Sequence, residues 1–180
     1  MKFASFLLSF FALSSSAYAN GPSITVGAGQ SSFSSKASVE GEKFTDKTKL
    51  QTGYLGVFFP SSENFGIGLE LGAGVHNGKT NYSTRSVKLA PNYKVLDLGV
   101  WLFAGAAHYD IRETGVNHGV TTGFVGAAFR PKAGAESLNL DFSVSYEKSF
   151  AAEDFNIGGS PVSNYKLENL ATSFGFAYSL

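Results

Sequence analysis

The chain has 180 residues, 14 basic and 14 acidic side chains, no cysteine, 21 glycines, 17 phenylalanines and 8 tyrosines. Balanced charge argues against a nucleic-acid partner, and the missing cysteines exclude a disulfide frame and a cysteine-linked lipid anchor. So much glycine and aromatic residue, with few charge-rich periodic stretches, favours strand pairing in one all-β domain.

The N-terminus reads as an export signal. Lys2 precedes an apolar run over 3–13, a serine-rich stretch and the small-x-small site Ala17-Tyr18-Ala19. Cleavage between Ala19 and Asn20 would remove 1–19 and leave 20–180 as the folded domain. Beyond it no apolar run approaches the roughly 18 residues of a membrane helix; the best, 98–107, is bounded by Asp97 and His108.

Four hairpin patterns follow. In the first, Ile24, Val26 and Ala28 alternate with Thr25, Gly27 and Gly29; a polar connection over 31–48 leads to a strand over 50–59. Its phase is open, because Tyr54 and Phe58 compete with Leu55, Val57 and Phe59. The second opens with Phe65, Ile67, Leu69, Leu71, Ala73 and Val75 on one face against Gly66, Gly68, Glu70, Gly72, Gly74 and His76. Its return covers 82–89. A tight connection centred on Lys79 would set His76 opposite Tyr82, Gly74 opposite Thr84, Gly72 opposite Ser86 and Glu70 opposite Lys88. Glu70 and Lys88 are therefore expected to form an interior ion pair, since opposite charges across a strand pair offset each other's desolvation. Asp97, Arg130 and Asp141 are the candidates to extend it.

The third hairpin rises through Leu96, Leu98, Val100, Leu102 and Ala104, turns near 112–117, and returns through Val125, Ala127 and Phe129. The fourth sets Leu138, Leu140, Phe142, Val144 and Tyr146 against Asn139, Asp141, Ser143, Ser145 and Glu147, then crosses a connection over 149–166. Pro60, Pro91 and Pro131 each open a turn-like cluster, which predicts short turns at 60–64, 90–93 and 130–135.

The last strand is the clearest. Leu170, Thr172, Phe174, Phe176, Tyr178 and Leu180 oppose Ala171, Ser173, Gly175, Ala177 and Ser179. A large apolar face backed by a small one suits a barrel strand with aromatics in lipid and small residues in a narrow lumen. Here the chain resembles the small bacterial outer-membrane β-barrels of the OmpA and OmpX/Ail type. The resemblance implies an eight-stranded antiparallel up-and-down transmembrane barrel in the outer membrane of a Gram-negative bacterium, with short periplasmic turns and longer outer loops. It also makes Phe174, Phe176, Tyr178 and Leu180 an assembly signal read by the barrel-assembly machinery, with Leu180 where the family usually ends in Phe. Outer-membrane lipid and lipopolysaccharide are the surroundings it implies. Trp101 and Phe103 are expected inward, since the other phase would set Asp97 against lipid. Phe58, Phe59, Phe65, Phe129 and Tyr178 below, with Tyr109, Tyr146 and Phe150 above, are expected as interfacial girdles.

No nucleotide or nucleophile motif is present, and no cofactor is expected. His76, His108 and His118 fall at the predicted outer rim, and together with Asp110 and Glu113 they could form a divalent-metal site or an acid/base pair, with His108 and Asp110 the candidates for the latter. Lipid A deacylases among such barrels carry His-x-Ser; here His108-Tyr109-Asp110 has Asp110 in place of the nucleophile, so an enzyme would need Ser83 or Ser145 beside His108. The expected role is structural or adhesive, through surface ligands at 31–48 and 149–166. A lipid A-modifying enzyme and a small pore are the alternatives.

Overall fold

A computed structural model describes residues 21–76, 82–96, 98–113, 116–133, 137–157 and 159–180. The export signal with its Ala19/Asn20 junction, and Asp97, lie outside the described residues. Nine strands are found among the latter: β1 (Ser23–Val39), β2 (Glu42–Ser62), β3 (Phe65–His76), β4 (Tyr82–Leu96), β5 (Val100–Glu113), β6 (Val116–Phe129), β7 (Leu138–Ser149), β8 (Glu153–Ile157) and β9 (Ser160–Ser179). Each pairs antiparallel with its neighbour, and β1 also pairs with β9, so the sheet closes. Both β7 and β8 run along the same edge of β9. β8 thus continues β7 past a bend at 150–152, and the ring is eight-stranded.

Alternation decides which way side chains point. Leu55, Leu71, Val87, Leu89, Leu102, Val125, Phe142, Phe174 and Phe176 are exposed on the outer wall. Small and polar residues such as Thr25, Thr84, Ser145 and Ala177 are buried inside it. That is the inverse of a water-soluble sandwich and matches a barrel solvated by lipid. The phase of β2 is settled: Phe58 meets Trp101 inside the barrel, at 5.3 Å between ring centroids, while Leu55 faces out. Trp101 and Phe103 point inward, as expected. Glycines face the interior where a bulky ring needs the space. A Cβ on Gly175 would stand 2.5 Å from the Val26 carbonyl oxygen and 2.6 Å from the Tyr54 hydroxyl.

Five expectations fail. The 31–48 connection is strand: β1 and β2 stay paired up to Val39 and Glu42, joined by Glu40 and Gly41. Both turn residues have positive φ, 51° and 88°, the geometry of a two-residue hairpin that matches strand twist. Likewise 149–166 is mostly β8 and the start of β9. Alternation here carries no strand signal in the sequence because the outward face is polar rather than apolar.

Prolines misplaced two turns. Pro60 lies within β2 opposite Gly66, and the turn is at 63–64. Pro91 lies within β4 opposite Ile67; pairing with β5 lapses at Ala90 and Pro91 and resumes in the same register at Asn92 and Phe103. A missing N–H costs one rung, which a long ladder tolerates. Finally, Phe58 and Tyr109 are not girdle residues, because both face the lumen.

Candidate functional site

Two polar clusters and an apolar plug fill the lumen. β3 and β4 pair Glu70 with Lys88, and Lys88 Nζ lies 3.9 Å from Glu70 Oε1. Its shorter contact is across the barrel, 2.5 Å to Glu147 Oε1 on β7. The Glu147 side chain is 0% exposed, against 35% for Glu70. The other oxygen of Glu147 accepts a hydrogen bond from the Tyr109 hydroxyl. The Lys88 ammonium lies 5.8 Å and 5.6 Å from the centroids of the Tyr109 and Phe124 rings, so π faces complete its surroundings.

Nearer the end of the barrel that holds Ser23 and Ser179, Arg130 Nε donates to Asp141 Oδ2 at 2.7 Å, with the guanidinium against Phe58 and Trp101. A cavity of about 130 Å³ reaches both pairs and is lined by Thr84, Ser86, Ser143 and Ser173. Toward the other end Phe33, Leu50, Tyr82, Ile111, Val120 and Leu167 form a buried apolar cluster. The arrangement holds opposing walls together. It places Lys88 between two carboxylates and builds no nucleophile beside a base.

Pattern had put Glu147 inward, yet nothing linked it to Lys88. Neighbour arithmetic reaches only adjacent strands, and β7 faces β4 across the lumen.

The histidines do not converge. His76 Nδ1 bonds the Lys49 carbonyl at 2.9 Å. His108 faces outward, 55% exposed, with Nδ1 3.0 Å from Thr121 Oγ1 and Nε2 3.8 Å from Asp110 Oδ1. Among the described residues no three His, Cys, Asp or Glu side chains are placed to hold a metal. Ser145 is buried inside the wall, opposite to His108, and Ser83 pairs with Arg112 rather than with His108. Among the described residues the deacylase pattern thus finds neither Ser83 nor Ser145 at its histidine.

His118 is buried on the other side of the wall, stacked on Phe155 of β8 at 4.2 Å and edge-on to Tyr165 of β9. It lies three cross-strand pairs beyond His108, above the lipid-facing apolar band. Burial holds its pKa below the ordinary value of 6.5. The neutral stack is therefore complete above pH about 6.5 and weakens as acid protonates the ring. Protection factors of the β8 amides, that is exchange corrected for its intrinsic pH dependence, are expected to fall in mild acid, and His118→Phe should abolish that fall. Equal acid sensitivity in both proteins would count against the stack as the anchor of β8.

Of the apolar residues in 149–166, Val162 and Tyr165 are buried and Phe155 packs against the cluster, whereas Phe150 is 69% exposed. β8, β9, β1 and β2 together rise past the apolar band as a sheet. Pairing of β2 with β3 begins only at Gln51, so among the described residues 42–50 pairs on one side alone. Phe44 stands exposed near its tip. Phe174, Phe176 and Tyr178 face outward on β9, between β1 and β7.

No family model and no curated relative matches the chain. Solved structures do. Neisserial surface protein A superposes with TM-score 0.55 at 14% identity, over 89% of this chain and 97% of that one. This is the fold of the small outer-membrane barrels. OprG of Pseudomonas aeruginosa gives 0.51 at 12% identity, over 89% and 97% of the two chains. AlkL, an outer-membrane protein solved in lipid bilayers, gives 0.50 at 13%, over 92% and 93%. Identities this low speak for the fold alone.

Proposed function

We propose that this protein is a surface-contact component of a Gram-negative outer membrane, in which the barrel is the anchor and the raised sheet meets partners outside the cell. One observation carries the reading: β1, β2 and β9 continue as paired strand well beyond the last apolar outward residues, which anchoring alone does not require. The outward Phe174, Phe176 and Tyr178 are the features a barrel-assembly machinery would read. The plug of Phe33, Leu50, Ile111 and Leu167 weighs against a pore, as barrels of eight strands have interiors filled by side chains.

The test replaces 33–48 by a two-residue Asn-Gly turn. Cells bearing the trimmed protein should lose attachment to matrix-coated surfaces while the barrel still shifts on unboiled gels, as closed barrels resist detergent. Undiminished attachment would refute the contact role. Planar bilayers holding the full chain should show no steady conductance; discrete channels would favour the pore.

A further inference from the structure

Strand alternation sorts the charge of the raised sheet. Along the sequence 31–49 mixes Lys36, Lys43, Lys47 and Lys49 with Glu40, Glu42 and Asp46. In the hairpin, Lys43, Lys47 and Lys49 of β2 fall opposite Ser38, Ser34 and Ser32 of β1, on the face that Lys36 shares. Glu42 and Asp46 fall on the other face, with Leu50. Across β1, Lys36 stands directly opposite Lys166 of β9. The outer face of three adjacent strands thus presents Lys36, Lys43, Lys47, Lys49 and Lys166, all exposed. Glu168 shares that face but is 3.4 Å from Lys148. Among the described residues no carboxylate lies within 4.0 Å of any of the five.

Two features give this patch a direction. Like charges directly opposite on paired strands are destabilising, so the Lys36–Lys166 pair asks for an anion between its members. The patch also begins where the lipid-facing surface ends. Lys49, Ser32 and the exposed Leu170 occupy one cross-strand row, and Lys166 is four residues, about 13 Å, further along β9. On the opposite wall Arg85 stands directly opposite the carboxylate-bearing Asp110, and Arg112 opposite Ser83, so no two basic side chains face each other across a strand pair there.

We infer that this lysine face seats the phosphate groups of an outer-leaflet glycolipid, beside the barrel rather than above it. Basic side chains at a membrane surface draw anionic headgroups, additively and within a Debye length. The inference rests on the outer-membrane placement proposed above.

The full chain, refolded into phosphatidylcholine vesicles with a minor fraction of lipid A, would be extracted and its retained lipid counted by native mass spectrometry. Diphosphorylated lipid A should be retained at least roughly tenfold over the phosphate-stripped form. K36Q/K47Q/K49Q/K166Q should erase that preference, whereas R85Q/R112Q on the opposite wall should keep it within about twofold. Equal retention of the stripped lipid, or an undiminished preference in the lysine variant, overturns the inference. So does displacement by soluble heparin at equal phosphate or sulfate concentration, which would assign the face to a free polyanion. Both variants must show the unboiled gel shift. Its absence in the wild-type chain would instead overturn the membrane placement.

Discussion

Lys88→Met is expected to destabilise the barrel by about 3–5 kcal/mol, because it strips a fully buried carboxylate of its counter-ion. Glu147 would keep the Tyr109 hydroxyl and, among the described residues, no cation in ion-pair contact. Glu70 on β3 would then add repulsion from across the lumen. Lys88→Met with Glu147→Gln should recover most of the loss, since a neutral set of similar volume no longer carries a buried charge. Glu70→Gln should cost less than about 1 kcal/mol, as its contact is 3.9 Å and its carboxylate is a third exposed. Urea unfolding of vesicle-refolded protein would supply both double-mutant cycles. The coupling of Lys88 to Glu147 should exceed its coupling to Glu70, within a range of roughly 0.5–3 kcal/mol. The reverse order would mean that the lumen is held by the β3–β4 hairpin alone.

That contrast marks what a sequence can and cannot reveal here. Glu70 opposite Lys88 follows from one short hairpin, since register propagates residue by residue once a tight turn is placed. Glu147 reaches Lys88 through the closure of the ring, and closure is a property of eight strands at once. The membrane wall was legible because its outward residues are apolar: β9 and β3 announce themselves through Phe174, Phe176, Leu69 and Leu71. Past the apolar band β1 carries Lys36 outward and β2 carries Thr45 and Lys47, and alternation of polar with polar gives no periodic signal. Turn placement failed at Pro91 for a different reason. A proline forfeits one donor, and in a closed barrel the surrounding rungs on β3 and β5 hold the strand through it.

Phe174→Arg should cost about 2–4 kcal/mol, while Leu170→Arg on the same strand and face should cost about 0–1 kcal/mol. Both side chains are comparably exposed on the outer wall, so burial by protein does not separate them. Depth does. Outward apolar residues of β9 run from Tyr178 near its C-terminal end to Leu170, and Phe174 stands midway. An arginine at Phe174 must desolvate in hydrocarbon or reach several ångströms toward either headgroup layer; one at Leu170 lies in the row of Lys49, already at the interface. In a water-soluble barrel both positions would be ordinary exposed surface, and both substitutions would fall within about 0.5 kcal/mol of the wild type. Stability measured in urea from phosphatidylcholine vesicles would decide between them. Equal and small losses at the two positions would show that the exposed aromatic wall is not solvated by lipid. A loss at Leu170 as large as that at Phe174 would raise the outer boundary of the bilayer above the row of Lys49. The lysine face would then be submerged, and the headgroup contact inferred for it could not form.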